Sequence, residues 1–214
     1  MSEEKKAEEG GMDISRRTFA VGAVGAAAML GLGAVKFTGS EPICRPPGAQ
    51  DEWAFLSACI HCEKCREVCP QHAIKPARIE SGILSLRTPQ MDFKSGWCDF
   101  CESTEDGQPL CAKACPVNAF VLPGGKLSEN VVIGKAVIKP DWCLATLDMG
   151  CRDCVDACPY EAMGISESGI PYVIDELCNG CGACEFACIS MKSGSIAVGA
   201  TDRAIIVVPE GGSR

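Results

Sequence analysis

Sixteen of the chain's 17 cysteines fall into four groups of four. The first is Cys59, Cys62, Cys65 and Cys69, followed by Pro70. The second is Cys98, Cys101, Cys111 and Cys115 with Pro116, nine residues separating its second and third thiols. The third, Cys143, Cys151, Cys154 and Cys158 with Pro159, places seven residues between its first two. The fourth, Cys178, Cys181, Cys184 and Cys188, keeps regular spacing but has Ile189 where the others have proline. Thiolates at two-residue gaps suit a polynuclear centre, because one tight turn can wrap three of them around the face of a cube. The fourth, three residues on, then points away toward another cluster. Disulfides fit poorly, since the count is odd and such close cysteines make strained partners. Zinc usually takes paired knuckles or Cys/His mixtures, and the only histidines are His61 and His72. The expected cofactors are therefore four [4Fe–4S] clusters with all sixteen cysteines as iron ligands.

The C-x2-C-x2-C-x3-C-P spacing is that of bacterial ferredoxins. After each proline a small residue and an apolar one ("AI", "AF", "AM") should begin a helix or pack beneath a cluster. Between the groups lie 28, 27 and 19 residues. These hold β-like runs, "GILSLR", "GKAVIKPDW" and "GIPYVIDEL", which read as hairpin strands. The expected fold is α+β, two ferredoxin-like units each holding two clusters. Tandem pairing is favoured by the short 19-residue link; nested pairing, first group with fourth around second with third, is favoured by likeness to molybdoenzyme electron-transfer subunits.

Aromatic residues make up only 6% of the chain, too few for a large conventional core. A net charge of −8 repels phosphate backbones, which argues against nucleic acid. No G-x-G-x-x-G, P-loop or H-E-x-x-H is present, so nucleotide and metallohydrolase chemistry lack their apparatus and no catalysis is expected of the chain alone. At the N-terminus Arg16 and Arg17 precede an uncharged, Gly/Ala-rich run of 17 residues from Phe19 to Val35. "SRRTF" resembles a twin-arginine export signal, the route for proteins already folded around cofactors. The expected boundaries are a signal segment at 1–36, a Pro/Gly linker at 37–52, the four-cluster region at 53–208 and a tail at 209–214.

Several other residues carry two readings. Gly180 and Gly182 in "CNGCGAC" either bring backbone N–H groups to cluster sulfurs or only permit the turn. Trp97 and Trp142, each before a first ligand, either line an electron path or pack as plugs. His61 and His72 either couple protons or fill surface. Cys44 stands outside the four groups.

The leader, the "RPPGA" at Arg45 to Ala49 and the four cysteine groups together resemble the ferredoxin-type NapG/MauM family, and its periplasmic nitrate reductase branch most. The resemblance implies a periplasmic electron carrier, not an enzyme. Its expected partners are a polytopic membrane quinol dehydrogenase of the NapH kind and a periplasmic reductase or cytochrome acceptor. Membrane association would come through that partner or through a retained signal segment. An equivalent electron-transfer or maturation subunit of another periplasmic oxidoreductase, as in methylamine utilisation, is the alternative.

Overall fold

A computed structural model describes residues 16–38, 42–190 and 199–209. The leader is one unit and the remainder, from Ser40 onward, another. In the leader a single helix, α1, runs Arg16–Thr38. Its side chains at Arg16 and Arg17, and Ser15 before it, lie outside the described residues. No described helix is long and apolar enough to cross a membrane.

The second unit is built from short pieces: α2 (Glu52–Ala58), α3 (Lys64–Glu67), β1 (Ile74–Pro76), β2 (Pro89–Met91), α4 (Leu110–Lys113), α5 (Leu127–Asn130), β3 (Lys135–Ile138), α6 (Asp153–Asp156), β4 (Met163–Ile165), β5 (Pro171–Val173), α7 (Ala183–Ala187) and β6 (Ile205–Val208). The strands form three antiparallel pairs. β1 with β2 joins the first cysteine group to the second, Ile74 facing Met91. β4 with β5 joins the third to the fourth, Met163 facing Val173. β3, before the third group, pairs with β6, after the fourth, Lys135 facing Val208. In the first half the same closure is made by irregular chain: the Val121 N–H donates to the Gly48 carbonyl at 2.7 Å, and the Met91 N–H to that of Cys44 at 2.8 Å. The fold is thus two similar halves in chain order, a ferredoxin-type mixture of helix and strand.

Three expectations change. "GILSLR" is not a strand; a 3-10 turn at Ile79–Ser81 leads into further turns, and the partner of β1 is the proline-containing β2 instead. "GKAVIKPDW" does hold β3, but its partner is the distant β6 rather than a hairpin neighbour. The strand β6 escaped the sequence reading although its four β-branched residues, all buried, spell a core strand. The residues after the prolines begin no helix: "AI" and "AM" lead into β1 and β4 with Ala73 and Ala162 buried beneath.

The segment expected as a linker is the third change. Cys44 to Ala49 are buried in the second unit, whatever their Pro/Gly composition suggests. Arg45 holds them there. Its Nη1 donates to Thr88 Oγ1 and to the Pro89 carbonyl, both at 2.7 Å, while Nε and Nη2 grip the two oxygens of Glu52 at 2.8 and 2.5 Å. The guanidinium also lies 5.3 Å from the Phe55 ring centre. This ties α2 to β2 through a planar fork that an ammonium cannot reproduce. Arg45→Lys is expected to cost about 1–3 kcal/mol, since buried acceptors lose their donor; a denaturant titration of the loaded protein measures it, and an unchanged midpoint would refute the clamp.

Candidate metal centres

Each cysteine group turns the same way because one backbone recipe is repeated. The residue before the second thiol is left-handed in all four: His61 (φ 55°), Phe100 (52°), Gly150 (64°) and Gly180 (74°). The third thiol is always the second residue of a one-turn helix, Cys65 in α3, Cys111 in α4, Cys154 in α6 and Cys184 in α7. In the first three groups the residue three past the fourth thiol is left-handed again, His72, Asn118 and Glu161. The following alanine amide then donates to the fourth sulfur at 3.3 Å in two of them, Ala119 to Cys115 and Ala162 to Cys158. Asp99 and Asn179, each next to a first ligand, accept from the amides of Cys101 and Cys181 at 2.9 and 3.2 Å. These Asx turns were not singled out from sequence, although an Asx residue directly after a cysteine is their signal.

Four recesses result, and every one is framed by three thiols of one group and the fourth of another. Recess 1 has Cys59, Cys62, Cys65 and Cys115. Recess 2 has Cys98, Cys101, Cys111 and Cys69. Recess 3 has Cys143, Cys151, Cys154 and Cys188, and recess 4 has Cys178, Cys181, Cys184 and Cys158. All sixteen expected residues are brought together in sets of four, and Cys44 lines none of them. Of the two pairings left open by the sequence, the structure has the tandem one, first with second and third with fourth.

The lining is chemically uniform. Beside the thiols stand apolar side chains, among them Ala119 and Phe120 in recess 1, Ala73 and Ile74 in recess 2, and Ala162 and Met163 in recess 4. The residues after each proline thus underlie the recess to which their fourth thiol has crossed. Burial pushes the Cys65 thiol up to about 11 and those of Cys154 and Cys181 to about 12, neighbouring thiols adding to the rise. Cys98, Cys111 and Cys184 are raised further for the same reason. Four thiolates in such a place need a positive centre between them, and loading one displaces protons. Among the described residues no three Cys, His, Asp or Glu side chains converge closely enough to hold one metal ion. No disulfide joins the described cysteines. The donor set therefore fits a body larger than an ion, with sulfur ligands at four corners, which is the demand of a [4Fe–4S] cube.

Comparison with known proteins agrees with this geometry. A family model described as a 4Fe–4S dicluster domain matches residues 58–119 and again 149–191. Each match spans two consecutive cysteine groups, apart from Cys143. Ferredoxin-type protein NapG of Escherichia coli K12 is 32% identical over 189 residues, covering 83% of this chain and 78% of that protein. The chain belongs to the ferredoxin-type NapG/MauM family. Methylamine utilization ferredoxin-type protein MauM of Paracoccus denitrificans is 31% identical over 154 residues, 68% of this chain and 66% of that protein. Ferredoxin-type protein NapF of Escherichia coli K12 is 34% identical over 151 residues, 67% of this chain and 79% of that one.

Within this family frame the remaining sequence expectations resolve. Trp97 lines recess 2, whereas Trp142 does not line recess 3 and instead packs against its own satellite core with Lys139 4.7 Å above the ring. His61 lines recess 1 and is exposed, and His72 is exposed at a turn. Gly180 and Gly182 serve the turn and close packing together: a Cβ on Gly180 would stand 2.3 Å from the Gly134 carbonyl oxygen, and one on Gly182 1.9 Å from the Phe93 ring. Cys44 belongs to the central core, its sulfur 3.8 Å from the Val207 carbonyl.

The crossing of the fourth thiol is testable by iron content. Cys69 and Cys111 frame one recess although they belong to different groups, so Cys69→Ala/Cys111→Ala should lose about four irons, one cube. Cys69→Ala/Cys65→Ala, taken from one group, should lose about eight. The reverse pattern would overturn the assignment.

Proposed function

We propose that the chain is a periplasmic electron-transfer subunit that holds four [4Fe–4S] clusters, one in each recess, with the sixteen framing cysteines as iron ligands. It relays electrons from a membrane quinol-oxidising partner toward a terminal reductase, nitrate reductase in the branch named NapG. The observation that carries this reading is the set of four like recesses, each framed by four thiols and lined by apolar side chains. A bound cluster supplies one-electron redox chemistry, and the protein supplies ligands, spacing and control of potential. The alanine amides on Cys115 and Cys158 stabilise the more negative, reduced form and so raise potential.

Localisation rests on the leader: Arg16 and Arg17 before the apolar run support twin-arginine export, and the body then works at the outer face of the inner membrane. Attachment there comes through the membrane partner or through α1, if the leader is kept. A second reading, the same role in methylamine utilisation or its maturation, is favoured by the similarity to MauM. Gene neighbours decide between the two.

The central test is a redox titration followed by EPR, after assay of iron and acid-labile sulfide. About sixteen of each per chain, and reversible reduction at quinol-compatible or lower potentials, are expected. A colourless protein, or clusters that resist reversible reduction, would overturn the carrier reading. One residue allows a finer check. The Ser190 hydroxyl oxygen accepts the Ala204 N–H at 2.7 Å and lies 3.2 Å from the Cys188 sulfur. With Cys188 ionised as an iron ligand its sulfur can only accept, so the hydroxyl would be the donor of this pair. Ser190→Ala should lower the midpoint potential of one cluster and leave the other three in place; four unchanged potentials would show that this hydrogen bond does not tune the site.

A further inference from the structure

The four recesses are not equivalent in position. The ligand thiols fully buried in the central core, Cys111, Cys178, Cys181 and Cys184, belong to recesses 2 and 4, whereas Cys65 of recess 1 and Cys154 and Cys188 of recess 3 only pack against it. Two smaller cores lie beside it, one with Cys59 and Cys115 of recess 1 and one with Cys143 of recess 3, the latter sharing Ile138 and Cys188 with the central core. Cys62 of recess 1 is exposed, whereas Cys178, Cys181 and Cys184 of recess 4 are all buried.

Contacts between the halves fall at one place. The Cys98 N–H, in the loop of recess 2, donates to the Cys181 carbonyl, in the loop of recess 4, at 2.8 Å. Phe100, between two ligands of recess 2, meets Tyr160 edge to face, with ring centres 6.1 Å apart and planes at 81°. Tyr160 in turn lines recess 4. The Asn179 carbonyl accepts from Ile133 at 2.9 Å and its side chain donates to the Ser128 carbonyl at 3.1 Å, so the same loop is anchored from both sides. Arg203, buried, donates to the carbonyls of Phe93, Glu185 and Lys94 and fastens the start of the second group to the end of the fourth. Each lining stays within one half, recesses 1 and 2 between Pro47 and Phe120 and recesses 3 and 4 between Ala136 and Val207, so the halves are joined by these contacts and not by a shared lining. Within each half the recesses adjoin through the crossed ligands: Cys65 of recess 1 and Cys69 of recess 2 flank the end of α3, and Cys154 of recess 3 and Cys158 of recess 4 flank the end of α6.

From this juxtaposition we infer that the four centres form a single file in the order recess 1, recess 2, recess 4, recess 3, bridged between the halves at Cys98 and Cys181. The order in space departs from the order in sequence, and the ends of the file are recesses 1 and 3. Electron transfer weakens steeply with distance, so transit follows nearest neighbours. At the bridge a cluster held by Cys69, Cys98, Cys101 and Cys111 would give one electron to a cluster held by Cys158, Cys178, Cys181 and Cys184, the first oxidised and the second reduced by one unit, with no bond made or broken and no proton required. The electrons are those of the quinol donor proposed above, and the inference rests on that reading. Donor and acceptor then dock at opposite ends of the file, because recesses 1 and 3 terminate it.

The test reads magnetic coupling rather than turnover. In the full-length, cluster-loaded protein reduced with dithionite, Cys62→Ala/Cys151→Ala removes a ligand from each end site. The remaining two centres should give a spin-coupled, split EPR signal. Cys101→Ala/Cys178→Ala, which removes a ligand from each inner site, should leave two unsplit signals. Uncoupled inner centres, or coupled end centres, would overturn the file. Should either double variant fail to fold, Cys62→Ala alone decides: with recess 1 at an end the other three stay coupled, whereas an unsplit signal from an isolated centre would refute the order. Iron and sulfide assay keeps the two failures apart, since absent clusters defeat the proposed function and present but differently coupled clusters defeat only the order.

Discussion

One tight loop can present three thiols to a cube but not a fourth, and the rest of the structure follows from where the fourth corner is found. In each half the fourth cysteine of one group turns away from its own loop and completes the neighbour's recess. Such an exchange requires the two loops to lie side by side and head to tail. The antiparallel pairs β1–β2 and β4–β5 deliver that arrangement, returning the chain from one loop to the next. These strands are three residues long, and an isolated hairpin of that size is marginal in water. They steer the chain more than they hold it together. Stability has to come from the centres they frame and from the packing around them.

That packing is arranged around too few large side chains, and two buried arginines extend it. Arg45 in the first half and Arg203 in the second each reach several backbone or side-chain acceptors that irregular chain leaves without partners. Loops rich in left-handed residues cannot satisfy their carbonyls within a helix or sheet, so a multi-donor fork is the economical donor. Glu185 shows the complementary solution. Its buried carboxylate accepts the Val207 N–H, and burial raises its proton affinity while Arg203 opposes the rise. Both devices fix β6 and the fourth loop where the two halves meet.

What was legible in the sequence is what depends on local chemistry. The four cysteine groups, the crossing of the fourth thiol and the separateness of Cys44 all follow from spacing, and the thiols gather as that spacing implies. Pairing of the groups was not legible, because tandem and nested arrangements use the same motifs. It is set instead by strand partners that the sequence hides. "GILSLR" has a strand-like composition but becomes turns, while "PQM", with a proline at its start, becomes the strand because Arg45 and the Cys44 carbonyl meet it there. The same clamp hides the "RPPGA" segment from a composition-based reading, since prolines and glycine normally mark exposed linkers. β6 was visible as a run of β-branched residues, yet its partner lies 67 or more positions away, beyond the reach of any hairpin pattern.

Burial also constrains the order in which such a molecule can be made. Three of the four thiols of the fourth group are buried, and burial raises the proton affinity of Cys98 and Cys111. A preassembled cube cannot reach the buried ligands through a closed body. Loading therefore has to accompany folding, before the two halves meet at Cys98 and Cys181. A chain loaded in this way has to travel as a finished body, which is the requirement that the leader around Arg16 and Arg17 answers under the function proposed here. Under that proposal the leader and the recesses, distant in sequence and distinct as units, answer one physical demand: the centres must be built in before the walls close.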